Sequence, residues 1–305
     1  MKSVLVLGGT GMLGSMVADY LSRVPGLCVT ATARTPELVN RAERQLAGVS
    51  WKVFHASSPD SRGGLESCGR HDWIINAIGI TKPLVRDDNP EQIETAILIN
   101  SLLPHRIAAI AETSGSRVIQ IATDCVYSGR KGAYLETDVH DALDVYGKTK
   151  SLGECYVSNT HHLRCSIIGP EPKDFKFLLE WFRRQPAAAE VNGFVNHRWN
   201  GITTLQFARI CRGIVETAPE LPHVQHVVPA DDISKAELLR VFARNLGRTD
   251  VRIRDVQAAS VIDRTLATAN ANLNKELWRA AGYSGPPSMP EMIAEMAAHD
   301  YRLQC

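Results

Sequence analysis

Tyr146 and Lys150 stand four residues apart in Tyr146-Gly147-Lys148-Thr149-Lys150, a spacing that puts both on one face of a helix. A phenol with an ordinary pKa near ~10 is a poor proton donor or acceptor at neutral pH, and a neighbouring ammonium lowers it by favouring the phenolate. The pair therefore reads as a general acid, Tyr146, tuned by Lys150. Upstream, Thr123 ends the apolar run of Ile121-Ala122-Thr123-Asp124-Cys125-Val126-Tyr127. Strand ends of that kind face the ligand crevice of open α/β sheets, where a hydroxyl can polarise a carbonyl. Taken singly these features are common in unrelated chains; their joint order behind a nucleotide loop gives them weight.

That loop is Gly8-Gly9-Thr10-Gly11-Met12-Leu13-Gly14, reached directly from the apolar run Val4-Leu5-Val6-Leu7. Glycines spaced in this way let backbone approach a pyrophosphate, and the first N–H groups of the following helix point at it. Gly8, Thr10, Gly11, Met12, Leu13 and Gly14 are thus candidate cofactor-binding positions. The second apolar run ends in Thr32-Ala33-Arg34-Thr35 with no acidic residue before Glu37. A basic Arg34 there suits the 2′-phosphate of NADPH better than the free hydroxyl of NADH. Asn76-Ala77-Ile78-Gly79 ends a further apolar run and offers Asn76, Ala77 and Gly79 to the adenine and ribose side. Phe54-His55-Ala56-Ser57-Ser58, after the third run, has no Asp.

These residues need a sheet to hold them. Strands are expected at 4–7, 28–33, 51–54, 73–77, 118–122 and 163–168, with helices at 12–23, 36–47, 90–113 and 142–158. The alternation predicts a Rossmann-type, doubly wound parallel α/β sheet over 1–168, followed by a smaller α+β substrate lobe over 169–305. Helices are expected there at 175–184, 204–217, 234–246 and 270–281, and a strand at 224–228 has the character to return to the first sheet. Pro104 lacks an N–H, so the Asn100 carbonyl should be freed and the helix kinked; a freed carbonyl can hold a water.

Bulk properties exclude several classes. Hydrophobic residues make up 44% and charged residues 22% of 305, typical of a folded enzyme rather than a disordered chain. A net charge of +1 gives no footprint for nucleic acid or a membrane surface. Cys28, Cys68, Cys125, Cys155, Cys165, Cys211 and Cys305 show no C-x-x-C spacing, so they read as reduced thiols with neither a disulfide framework nor a metal site. The apolar start is too short for a signal peptide or spanning helix, and a cytoplasmic location is expected.

GGTGMLG, NAIG, TDCVYSG and YGKTK together resemble the extended short-chain dehydrogenase/reductases. Within them the motifs look most like the dTDP-4-dehydrorhamnose reductase branch, with Ala133-Tyr134-Leu135-Glu136 resembling its P-Y-x-E. The resemblance is good over the first ~165 residues and thins beyond, and it implies Thr123, Tyr146 and Lys150 as the catalytic trio, joined by Asn100 in a proton relay. It also implies a nucleotide-diphosphate sugar as substrate and homodimers built through the helices at 90–113 and 142–158.

Fold alone does not choose the reaction. Dehydratases of this type resemble T-D-E, whereas Asp124 here is followed by Cys125. Cys125 leaves an epimerase/reductase of the GDP-fucose synthase type open, although the histidine expected after Gly169-Pro170 is missing. Arg198-Trp199-Asn200-Gly201-Ile202-Thr203-Thr204 resembles a substrate loop, in which Arg198 would clamp a diphosphate and Trp199 stack on a base or sugar. Thr123, Asp124 and Cys125 complete the substrate-binding candidates. The favoured expectation is NADPH-dependent reduction of a sugar 4-ketone; a non-catalytic NADPH-binding regulator, such as the reductase-like subunit of methionine adenosyltransferase, is the alternative from another class.

Overall fold

A computed structural model of the chain describes residues 1–303. Seven parallel strands form the central sheet in the order β11-β6-β5-β4-β1-β2-β3. These are β1 (Lys2–Leu7), β2 (Leu27–Ala33), β3 (Val49–Val53), β4 (Trp73–Asn76), β5 (Arg117–Ala122), β6 (Thr160–Arg164) and β11 (Val224–His226). The order reverses between β1 and β4, which opens the crevice where such sheets take ligands. Helices α1 (Met12–Ser22), α2 (Pro36–Gln45), α3 (Ser61–Glu66), α4 (Pro90–Ala96), α5 (Leu103–Ser114) and α6 (Val145–Leu152) supply the crossovers. Two apolar clusters cover the sheet, one containing Val4, Val6, Met16 and Ile75, the other Leu5, Leu7, Ile74 and Val118. Alternate residues of β1 thus feed opposite layers, which is why its whole run is apolar.

The chain after residue 168 serves both layers. Helix α8 (Thr204–Thr217) packs against α1, and β11 pairs in parallel with β6. The lobe proper holds β7 (Ile167–Ile168) with β10 (Ile202–Thr203), and β8 (Glu190–Phe194) with β13 (Arg252–Val256). A third small sheet, β12-β9-β14, joins Ile233–Ser234, His197–Trp199 and Ile262–Asp263. Its remaining helices are α7 (Leu178–Arg183), α9 (Lys235–Asn245), α10 (Ala271–Ala280) and α11 (Met289–Ala298).

Three expected elements differ. The helix at 90–113 is α4, a π-helical turn over Ile97–Leu102, then α5 with Pro104 in its first turn. The extra residue of a π turn absorbs the hydrogen bond that proline cannot make. The helix at 142–158 is only α6, capped by Asp144 at its start and by Gly153 at its end, where Gly153 packs on the Asn100 carbonyl so closely that any Cβ would collide. The strand at 163–168 breaks after Arg164, and Ile167–Ile168 pairs with β10 instead.

Among the described residues, no helix is long and apolar enough to cross a membrane. Cys28, Cys68, Cys125, Cys155, Cys165 and Cys211 are free thiols, while Cys305 lies outside the described residues.

Candidate active site

The glycine loop is closed by its own backbone. Gly8 adopts a φ of +81°, and its carbonyl accepts the Gly11 amide at 2.9 Å. Gly14 lies so close to the Gly8 carbonyl that a side chain could not fit, so helix α1 starts tight against β1. A Cβ on Gly8 would reach Ile78 Cγ1 at 2.9 Å, which draws the Ala77-Ile78 segment beside the loop. The N-cap Gly11 has no side chain, and no carboxylate sits in the first turn. The N–H groups of Met12, Leu13 and Gly14 therefore meet no internal cap. Thr32 Oγ1 accepts the Gly8 amide at 3.0 Å, tying loop to β2. One residue past β2, Arg34 is exposed, and among the described residues its side chain has no hydrogen-bond or ion-pair partner.

Asn76 is fully buried, with its amide donating to Gln120 Oε1 at 2.7 Å and its oxygen accepting the Ile78 amide at 3.0 Å. Its side chain locks β4 to β5, leaving backbone of Ala77 and Gly79 as the part available to a ligand.

Across the crevice, Tyr146 is delivered by a close approach. Gly147 seats against the Cys125 carbonyl, where a side chain would collide, so α6 lies flat on the turn that follows β5. Asp144 caps this helix through the Gly147 amide at 2.9 Å and is held by Lys82 at 2.7 Å. The result is a Tyr146 phenol placed near enough to Thr123 for the threonine hydroxyl to influence its protonation. Burial pushes the phenol well above its ordinary pKa, the Cys125 group adds to this, and the Thr123 contact opposes it. The depression expected from Lys150 is thus not seen. The Lys150 ammonium donates instead to the Ile121 carbonyl at 3.0 Å. Burial brings Lys150 down to about 8, with Glu154 opposing.

Asn100 is buried and fully used: Oδ1 accepts the Ile80 amide at 2.9 Å, and Nδ2 donates to the Ile80 carbonyl at 2.9 Å and to Thr149 Oγ1 at 3.2 Å. Its backbone carbonyl, expected to be free for a water, faces Gly153.

The turn after Thr123 collects charge. Asp124 is 6% exposed, and burial raises its pKa while Arg264 and Lys235 hold it down. Cys125 is half-buried, its thiol pushed up to about 12 by burial and by Asp124. Lys235 and Arg264 were not singled out in the sequence, where each is an isolated basic residue. Lys235 opens α9 directly after β12, and Arg264 follows β14, with Nε donating to the Tyr127 carbonyl at 2.8 Å.

The proposed substrate loop is arranged differently from the expectation. Arg198 forms an ion pair with Asp232 and donates to its carbonyl at 3.1 Å, so the guanidinium is held at the lobe surface. Trp199 is 5% exposed, donates to Ser166 Oγ at 2.7 Å and carries the Lys235 ammonium 5.1 Å from its ring centre. It walls the site rather than offering a free stacking face. Arg164 is buried in a network with Glu154 at 2.5 Å, Tyr127 at 2.7 Å and His226 at 2.7 Å, a structural role.

The family model described as RmlD substrate binding domain matches residues 1–302. The dTDP-4-dehydrorhamnose reductase of Salmonella typhimurium is 37% identical over 155 residues, 50% of this chain and 45% of that protein. Methionine adenosyltransferase 2 subunit beta of Danio rerio is 28% identical over 194 residues, 60% of this chain and 58% of that protein. The chain spans about half the length of the first curated relatives it matches. Among solved structures, a dTDP-4-dehydrorhamnose reductase from Bacillus anthracis in complex with NADP superposes with a TM-score of 0.71 at 17% identity. That match covers 97% of this chain and 98% of the other, and carries the fold.

Proposed function

The chain belongs to the RmlD substrate binding domain family, and from that premise we propose that it reduces the C4 ketone of a nucleotide-linked deoxysugar with NADPH. The observation that carries this reading is the meeting of Thr123, Tyr146 and Lys150 at the tip of β5, across from an uncapped helix N-terminus.

The residues present fit a dinucleotide. Gly8 and Gly14 leave no room for side chains where the loop folds on itself, and the free N–H groups of α1 suit a pyrophosphate. Gly11, Met12 and Leu13 would hold the phosphates, with Thr10 beside them; Arg34 would take the 2′-phosphate. NADPH, when bound there, supplies the hydride. Thr123 and Tyr146 would hold the ketone oxygen between two hydroxyls, and Tyr146 would give it a proton as negative charge develops. Burial keeps the phenol protonated, and the Lys150 cation would favour release of that proton as the ketone oxygen gains charge. Lys150, fixed by Ile121, would present a cation to the nicotinamide ribose and to the phenol. Asn100 acts through placement of Thr149 and Ile80, a positioning role.

Support for reduction over epimerisation comes from Cys125. A thiol held near 12 forms little thiolate at neutral pH, which makes it a poor proton carrier. A second reading, an NADPH-binding regulatory subunit, draws on the similarity to the Danio rerio protein; the retained trio favours the enzyme. The test is NADPH oxidation in the presence of dTDP-4-dehydrorhamnose, with UDP- and GDP-linked 4-keto sugars alongside. Turnover with one of them is expected. None with any, together with a stoichiometric enzyme partner in a pull-down, would replace the reductase by the regulator.

A further inference from the structure

The small sheet β12-β9-β14 brings three side chains from distant sequence to one place. Ile233 is opposite Trp199 and Ser234 opposite Arg198 on one side of β9; Asp263 is opposite Arg198 on the other. Lys235 and Arg264 are each the next residue after a strand of this sheet. The sheet is fastened to the catalytic half, since the Asp263 amide donates to the Gly129 carbonyl at 2.8 Å and Arg264 to that of Tyr127 at 2.8 Å. These contacts bring Lys235 within electrostatic reach of Asp124 and Cys125, the two residues after Thr123.

Lys235 is half-buried, its ammonium lies over the Trp199 ring, and among the described residues it has no hydrogen-bond or ion-pair partner within 4.0 Å. Three N–H donors in a partly desolvated position without an acceptor are costly. Asp124 feels the charge of Arg264 first and of Lys235 next, and Lys235 and Asp124 form no ion pair within 4.0 Å. A gap of that kind, between a cation and a carboxylate, suits a group that both accepts and donates a hydrogen bond. A phosphate accepts only and would be repelled by Asp124; a hydroxyl satisfies both sides. Burial lowers Lys235 to about 8, so it remains mostly cationic at neutral pH.

We propose that Lys235 is a substrate-binding residue: its ammonium and the Asp124 carboxylate jointly hold a sugar hydroxyl adjacent to the carbonyl gripped by Thr123 and Tyr146. The inference rests on the reductase reading and deepens it. It assigns recognition of the hexose ring, as distinct from its nucleotide, to the first residue of α9 and the residue after the catalytic threonine.

The experiment is calorimetric titration of the NADP-loaded full chain with dTDP-rhamnose and with dTDP, for wild type, Lys235→Met and Lys235→Gln. The wild type should bind the sugar nucleotide more tightly than dTDP. Both variants should lose roughly tenfold of that affinity, the factor of a charge-assisted hydrogen bond, with dTDP binding unchanged. In steady state, KM for the keto sugar should rise by a similar factor while kcat changes little. A melting curve and NADPH affinity matching the wild type certify folding, and Lys235→Gln serves if Lys235→Met does not fold. Wild-type affinity for dTDP-rhamnose in both variants overturns the inference while leaving the reductase reading standing. Failure of the wild type to bind or turn over any dTDP-, UDP- or GDP-hexose overturns that reading and the inference with it.

Discussion

The Thr123 hydroxyl donates to Asp124 Oδ1 at 3.2 Å. Its single proton is therefore aimed at a carboxylate while its lone pairs receive the Cys125 amide at 3.2 Å. A ketone arriving beside Tyr146 would compete with Asp124 for that proton, and the exchange costs little because a hydroxyl rotates freely. Thr123→Val, which removes the donor at constant shape, should lower kcat roughly a hundredfold. Thr123→Ser should stay within a few-fold of wild type. Equal kcat in Thr123→Val and wild type would remove this hydroxyl from the chemistry.

Lys150 carries a pH signature with two signs. Turnover that needs its cation should fall as pH rises through about 8, and Lys150→Met should be slow at every pH. Stability runs the other way. The folded value lies below the ~10.4 of an unfolded lysine, so between the two the unfolded chain binds more protons and this group's contribution rises with pH. At pH 7 the buried cation costs stability, and Lys150→Met should melt at or above the wild-type temperature in a thermal scan. A clear fall in melting temperature at pH 7 would show that the bond to Ile121 outweighs the desolvation.

Arg34 stands exposed just beyond β2, its side chain unpaired among the described residues. Replacing it with serine should weaken NADPH binding roughly tenfold, as expected for loss of one charge-assisted contact, and leave NADH affinity nearly unchanged. Fluorescence titration with both nucleotides measures this. A parallel loss for NADH would mean that Arg34 serves the fold or the pyrophosphate rather than the 2′-phosphate.

Sequence patterns exposed the catalytic half more readily than the lobe, for physical reasons. Strands β1 and β4 are covered on both faces, so each carries a continuous apolar run next to turn residues, and α1 begins where the glycines demand. Tyr146 and Lys150 were legible because they share one short helix. Lys235 and Arg264 were not, since β12 and β14 are two residues long and two-residue strands have no periodicity. Only pairing across more than sixty residues of β9 with β14 brings Arg264 to the site. Arg198 had suitable chemistry, but Asp232 claims it, a partner whose proximity depends on the same sheet. Helix α11 did carry a signal: Ser288 and Glu291 form a capping box ahead of Met292, Ile293 and Met296.

The meeting of phenol, lysine and strand-tip hydroxyl is tested most directly by single-turnover hydride transfer in Tyr146→Phe, followed by NADPH absorbance with a saturating dTDP-4-keto sugar. The rate should fall by roughly 10²–10⁴, the weight of a general acid, while NADPH affinity stays within about twofold of wild type. An undiminished rate in Tyr146→Phe would contradict the account.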